Sequence, residues 1–388
     1  MQTQITTCPK CNSKNIIKKG KRERKFREIQ QFQCKECKKF FLPEPQENKT
    51  YPLKIILSSI SSYNLGYNLN QVSNLINSRH QLNIPISTIS SWVNEYKEIC
   101  TYNKLRKEAL SLYSPKNLIF KKPLQHQQVY LFQYHKAKLH LLFHSKLYNN
   151  MFTNQSRLYA IKDYLEKIPT KDFPHHIFKS YETKIKEGII KPKSPNPADM
   201  SPQATRVPLA QNKNLFNENT INNKNIREQR ASQLKLETLP IIKKEKQNQA
   251  NSMAKLGLET AKSKSKAHSA IEKFFLINDS TTIAIEVPVY LTNDDIKYFK
   301  DRKFEINLDN YTTPITGHID ILQIRNGLIH ILDYKPSADK VQPIEQLTIY
   351  ALALASRTKL ALRDFKCAWF DKENYFEFFP LHCVYPKG

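Results

Sequence analysis

The stretch from Thr316 to Pro336, TGHIDILQIRNGLIHILDYKP, permits few folds. Two runs rich in Ile and Leu flank Asn326-Gly327, and such a dipeptide between apolar runs is the strongest short-range signal for a β-hairpin with a two-residue loop. With those residues as the loop, Arg325 pairs with Leu328 and Asp320 comes to lie opposite Asp333. Side chains alternate between faces, so Lys335 joins Asp333 and His318 falls opposite Lys335. Opposed carboxylates about 5 Å apart destabilise a sheet unless something neutralises them. A divalent cation does so, and Mg²⁺ suits two carboxylates completed by water and phosphate oxygens. Metal there polarises a phosphate and generates hydroxide, with Lys335 placed to orient the water or stabilise developing charge. The competing reading is a solvated hairpin end closed by a salt bridge from Lys335. Against it, Ile319, Ile321, Leu322, Ile324, Ile329, Ile331 and Leu332 make both faces apolar, as in a sheet covered on both sides, and embedded charges need partners.

Four of the seven cysteines form two pairs, Cys8-Pro9-Lys10-Cys11 and Cys34-Lys35-Glu36-Cys37. Each pair can present two thiolates from one tight turn, and two facing turns close a tetrahedral structural Zn²⁺ site. Two disulfides are the alternative, disfavoured in a reducing compartment. Between the turns run Lys18, Lys19, Lys21, Arg22, Arg24, Lys25 and Arg27, with Phe26 and Phe32 interleaved. This reads either as a solvated face or as a phosphate-contacting ribbon. Residues 51–99 then suggest three short helices, broken at Gly66-Tyr67-Asn68. Ser87 is the expected N-cap of the third, with Ile89, Trp92, Val93 and Tyr96 inward and Thr88, Ser91 and Asn94 outward. Short polar side chains on that face suit base edges in a major groove; a plain three-helix packing unit explains the same pattern.

Charge narrows the partner. Lys and Arg number 61 against 35 Asp and Glu, a formal charge of +26, which favours an anionic partner, either nucleic acid or an acidic membrane surface. No apolar run approaches the roughly 20 residues of a spanning helix, so insertion in a membrane is not expected. With no apolar segment after Met1-Gln2-Thr3-Gln4, we expect no secretory signal and a cytoplasmic, DNA-associated protein. Only 7 Gly, without a dinucleotide or Walker loop, argues against a dehydrogenase or ATPase.

Two resemblances follow from these residues. Through CPKC, CKEC and TISSWVNEYKEI, the first hundred residues resemble the zinc-ribbon plus helix-turn-helix module of transposase-like DNA-binding proteins. Asp320, then Asp333-Tyr334-Lys335, then Gln346-Leu347-Thr348-Ile349-Tyr350 resemble the PD-(D/E)XK nuclease superfamily, specifically its RecB-like branch, over roughly 250–388. That resemblance implies an α-β-β-β-α-β core of restriction-endonuclease type, with Asp320 and Asp333 holding Mg²⁺ or Mn²⁺ and Lys335 assisting the water. It maps the family's helical metal-site histidine onto His268, and a strand glutamate onto Glu286. Gln346 and Tyr350, on one helix face, are expected to approach the site or the substrate backbone. The iron–sulfur subset needs four clustered cysteines, which Cys367 and Cys383 cannot supply, so no cluster is expected.

The expected organisation is a zinc ribbon over 1–48, an all-α helix-turn-helix over 49–100, a helical extension over 101–184, a basic flexible linker over 185–250 and an α/β nuclease domain with a mixed sheet over 251–388. The expected function is metal-dependent hydrolysis of DNA phosphodiesters, targeted by the N-terminal module. The alternative is a non-catalytic DNA-binding regulator carrying an inactive nuclease fold.

Overall fold

The computed structural model describes residues 7–24, 27–42, 49–125, 129–144, 158–170, 173, 229–240, 243–308 and 314–386. At the N-terminus, β1 (Ile16–Arg24) and β2 (Arg27–Cys34) form an antiparallel hairpin from Ile16↔Cys34 to Arg24↔Arg27, and β3 (Phe40–Phe41) pairs with β2. Phe32 stacks on Phe41 at 6.0 Å. Lys18, Lys19 and Arg22 stand exposed, and Lys21 pairs with Glu28 at 2.9 Å. Lys25 and the side chains of Arg24 and Arg27 lie outside the described part of the ribbon.

Three helices follow: α1 (Leu53–Asn64), α2 (Leu69–His80) and α3 (Ile86–Glu95). The chain breaks at the expected Gly66-Tyr67-Asn68, and Asn68 and Gln71 cap α2 reciprocally, at 2.8 and 2.9 Å. Helix α3 begins after Pro85 rather than at a Ser87 cap. Proline's fixed φ, here −64°, already suits a helix start, and no side chain caps this one. Ile89, Trp92, Val93 and Tyr96 are buried, Ser91 and Asn94 exposed and Thr88 half-buried.

Residues 101–184 depart from the expected all-helical extension. After α4 (Arg106–Leu112) come β4 (Ile119–Gln125) and β5 (Val129–His135), an antiparallel pair, then α5 (Lys136–His144) and α6 (Tyr159–Lys167). Pro123 in β4 is tolerable because β4 is the edge strand of the sheet. The linker expected over 185–250 lies outside the described residues as far as 228. Its remainder is built into the fold as β6 (Gln229–Arg230) and β7 (Lys244–Glu245), which pair with later strands.

Next come α7 (Gln249–Thr260), α8 (Ala267–Asn278), β8 (Thr282–Leu291), α9 (Asn293–Lys300), β9 (Ile315–Arg325), β10 (Leu328–Tyr334), α10 (Ile344–Thr358), β11 (Phe365–Phe370), β12 (Tyr375–Phe378) and α11 (Leu381–Val384). Apart from α9, the run from α8 to β11 is α-β-β-β-α-β. The sheet order is β4-β5-β8-β9-β10-β11-β12-β7, with β10 and β11 parallel and β6 parallel to β9. The mixed character follows from the connections: a two-residue turn makes β9 and β10 antiparallel, whereas the α10 crossover makes β11 parallel.

Along β10 and β11 the buried residues alternate between two cores. Ile329, Ile331, Cys367 and Trp369 pack with α10 and α6, while Leu332, Ala368 and Phe370 pack with α7, α8 and all of α1–α3. The sheet is therefore covered on both faces, as the paired apolar runs of 319–332 predict. The first three helices share a core with α7 and α8, and Asn64 Nδ2 donates to buried Asn278 Oδ1 at 2.9 Å. No helix among the described residues is long and apolar enough to cross a membrane.

Candidate active site and the four-cysteine cluster

The hairpin register is the predicted one over five pairs, from Leu328↔Arg325 to Leu332↔Ile321. Asn326 and Gly327 have φ of 52° and 72°, the signs a type I′ turn requires at both central positions. Beyond the last pair, Asp333 lies close enough to Asp320 for each carboxylate to bear on the other's charge, and the Tyr334 amide donates to Asp320 Oδ2 at 3.3 Å. Lys335 Nζ reaches Asp333 Oδ2 at 2.8 Å. His318 does not oppose Lys335: it pairs with Pro288 of β8 and stacks on Tyr130 of β5 at 3.9 Å.

Helix α8 supplies His268, whose Nε2 lies 2.8 Å from Asp320 Oδ2 and 2.9 Å from Oε1 of Glu272, one turn further on. Strand β8 supplies Glu286 opposite Asp320, between the pairs Ile285↔Ile321 and Val287↔Ile319. Its φ is +50°, uncommon for a non-glycine residue and costly inside a strand. Helix α10 supplies Gln346, which donates to the Tyr350 hydroxyl at 2.9 Å. The Tyr350 ring lies against Gly317 so closely that a Cβ there would meet Cε1 at 2.2 Å, so only glycine fits. His268, Glu286, Gly317, Asp320, Gln346 and Tyr350 line a cavity of about 310 Å³, whereas Glu272, Asp333 and Lys335 are not part of its lining.

Four site residues escaped the sequence reading: Glu272, Gly317, Arg230 and Tyr130. Glu272 was visible as the i+4 neighbour of His268. Tyr130 and Arg230 required knowing that β5 and β6 join the sheet, and Gly317 required knowing that Tyr350 packs on β9.

Four carboxylates, on Glu272, Glu286, Asp320 and Asp333, thus crowd a site where, among the described residues, His268, Lys335 and, at 4.0 Å from Glu286, His318 stand in ion-pair contact with them. His268, Glu272 and Asp320 offer ligand atoms within 4.8 Å of one another. Such an excess of hard oxygen donors fits a divalent cation. The charges are distributed accordingly. Burial raises Asp320, but the His268 charge and hydrogen bond outweigh it and hold the carboxyl down to about 2. Burial likewise opposes protonation of His268, yet Asp320 and Glu272 push it up to about 11. Burial, then the charges of Glu272 and Asp320, push Glu286 up to about 9. Burial, opposed by the His268 hydrogen bond and aided by Asp320, brings Glu272 to about 7.

A pH dependence follows. Glu272, Glu286 and His268 each bind more protons in the folded than in the unfolded chain across the interval between their ordinary and shifted values. Metal-free stability therefore falls as pH rises from about 5 to about 9. Mg²⁺ or Mn²⁺ must displace those protons, so the rise in Tm on adding metal grows over the same interval. Thermal melts at several pH values with chelator or metal check this; a metal-induced shift independent of pH would refute it.

At the N-terminus, the Sγ atoms of Cys8 and Cys37, and of Cys11 and Cys34, are each 3.6 Å apart, and all four lie within 4.8 Å. Four thiolates at about 2.3 Å from a tetrahedral Zn²⁺ are about 3.8 Å apart, so the cluster fits zinc. Against the burial that raises it, the amides of Lys10 and Cys11 and the Cys37 sulfur hold the Cys8 thiol down to about 6. The core here is little more than Cys8, Cys34 and Phe41, and so small a unit normally needs a metal to fold. Elemental analysis should return one zinc per chain, and Cys34→Ser, which removes a buried ligand, should release it; wild-type protein free of zinc would count against the assignment.

No curated protein and no solved structure matches the chain. Residues 219–377 match the family model of the PD-(D/E)XK nuclease superfamily, a span that holds β6 through most of β12, Arg230 and every carboxylate of the site. This part of the chain is a PD-(D/E)XK nuclease superfamily domain, and that superfamily generally comprises metal-dependent nucleases.

Proposed function

We propose that the protein hydrolyses DNA phosphodiester bonds with Mg²⁺ or Mn²⁺, through a nuclease domain of the RecB-like kind. The observation that carries this reading is the convergence of two contacts from a helix and a hairpin far apart in sequence, His268 on Asp320 and Lys335 on Asp333, each at 2.8 Å, with the two aspartates acting on each other's charge.

In this reading His268, Asp320 and Asp333 hold the metal, with Glu272 and Glu286 beside them. A bound divalent cation polarises the scissile phosphate and lowers the pKa of its water. Lys335, held by Asp333 at 2.8 Å, orients that water and stabilises the charge that develops on phosphate oxygens. Tyr350, fixed by Gln346 and by packing on Gly317, shapes the substrate side of the cavity.

DNA targeting falls to the N-terminal ribbon and helices. Exposed Lys18, Lys19 and Arg22 contact phosphates, with Arg24, Lys25 and Arg27 continuing the run, and α3 presents Thr88, Ser91 and Asn94 as a helix-turn-helix would. The +26 charge of the chain supports a polyanionic partner. Incubating the protein with linear duplex, circular duplex and single-stranded DNA, in Mg²⁺, Mn²⁺ or chelator, tests the whole reading. Metal-dependent cleavage of at least one form is expected, and intact DNA under every condition would overturn it.

A further inference from the structure

We propose that Arg230 clamps a substrate phosphate in the active-site cavity, offering Nε and one terminal nitrogen side-on as a bidentate fork. The inference rests on the nuclease reading above and adds a residue to it.

Strand β10 pairs with β9 only over residues 321–325, which leaves the start of β9 open on that side. Strand β6 fills the gap, with Gln229↔Ile315 and Arg230↔Thr316, so Arg230 is held by main-chain pairing rather than by its charge. Its side chain lines the same cavity as His268, Glu286 and Asp320. Yet its Nε and Nη2 atoms are buried and lack any acceptor, and no carboxylate among the described residues forms an ion pair with it. Two buried guanidinium N–H groups without an acceptor are costly, although the residue as a whole is half-buried. Of the two carboxylates that line the cavity with it, Asp320 is engaged by His268 and Glu286 lies 4.0 Å from His318, and neither forms an ion pair with Arg230. The missing partner is an anion that enters the cavity. Nε and an adjacent terminal nitrogen form the planar fork that matches two oxygens of a phosphate. Lining the same cavity as Asp320 and Glu286, Arg230 takes charge from the non-bridging oxygens of a phosphate.

The test uses the full chain with Arg230→Gln and Arg230→Lys. Binding of a fluorescein-labelled oligonucleotide is measured in an Asp333→Asn background, and cleavage in the otherwise wild-type protein. Arg230→Gln should weaken oligonucleotide binding about 10- to 100-fold and lower kcat/KM to a similar extent. Lysine, a point charge without the fork, should not restore either. The metal-free Tm of Arg230→Gln should stay level or rise, because an unpaired buried cation has been removed; a residue serving structure would lower it.

Oligonucleotides with a 5′-phosphate and a 5′-hydroxyl separate two sources of the anion. Equal loss on both assigns the clamp to an internal diester, and loss on the phosphorylated end alone assigns it to a terminal monoester; either supports the proposal. Unchanged binding and kinetics in Arg230→Gln, or full rescue by lysine, would overturn it. If the wild type cuts DNA regardless of Arg230, the clamp alone fails. If it binds DNA through Arg230 but never cuts, the nuclease reading fails and the clamp stands.

Discussion

Asp320→Ala and Asp333→Ala are each expected to abolish metal-dependent cleavage, a loss of about 10³-fold or more, since the several kcal/mol of charge stabilisation that a bound cation supplies disappear with its ligands. Lys335→Ala should come close by another route, losing water activation while metal binding persists. Oligonucleotide binding should survive in all three and tighten in the carboxylate variants, where negative charge near the phosphate has been removed. His268→Ala should be milder, because Glu272 and Glu286 remain near the metal position. Stability separates these effects from simple misfolding. Burial, and then the charge and hydrogen bond of Asp320, push Asp333 well above the usual carboxylate range, so Asp333→Asn replaces a strained acid with a neutral amide of the same size. Its metal-free Tm should equal or exceed the wild-type value while cleavage is lost. Wild-type cleavage by the purified Asp320→Ala/Asp333→Ala double variant would end the assignment.

The register behind this prediction was legible because it is set locally: Asn326-Gly327 fixes the turn, and the apolar residues either side fix which positions pair. The helical content wrongly expected over 119–135 shows the limit. Strands β4 and β5 are held by each other and by Gln133↔Ile285 and Tyr134↔Ala284, across some 150 residues of chain, and Lys121-Lys122-Pro123 gives no period-two pattern to announce an edge strand. Arg230 was hidden more thoroughly. A two-residue strand in a polar segment has no periodicity, and its order comes wholly from β9. Glu286 was placed near the site, but its left-handed backbone carries no signal in a residue that is not glycine.

Where the chain can be cut is the sharper consequence of that non-local order. The sequence suggests that removing residues 1–100 would leave a working nuclease with weaker DNA affinity; the structure predicts that this deletion destroys it. Leu53, Ile56, Leu57, Ile60, Ile89 and Trp92 share one core with Ala250, Phe274 and Phe275 of α7 and α8. Helix α8 carries His268 and Glu272, so stripping its outer face releases two groups of the site together with the buried pair Asn64–Asn278. Burying one large apolar side chain contributes about 1.5–3 kcal/mol, so losing half a dozen removes about 9–18 kcal/mol, comparable to or larger than the roughly 5–15 kcal/mol by which a domain is stable. Deletion of 1–48 is different, since the ribbon's small core is Cys8, Cys34 and Phe41, closed on itself. That shorter deletion should keep a cooperative thermal transition and metal-dependent cleavage at high protein concentration. It should also lower DNA affinity and flatten its salt dependence by about one unit of slope for each phosphate that the ribbon no longer neutralises. Circular dichroism melts and binding titrations at several salt concentrations distinguish the two deletions. A 1–100 deletion that melts cooperatively near the full-length Tm would show that α1–α3 are dispensable packing after all.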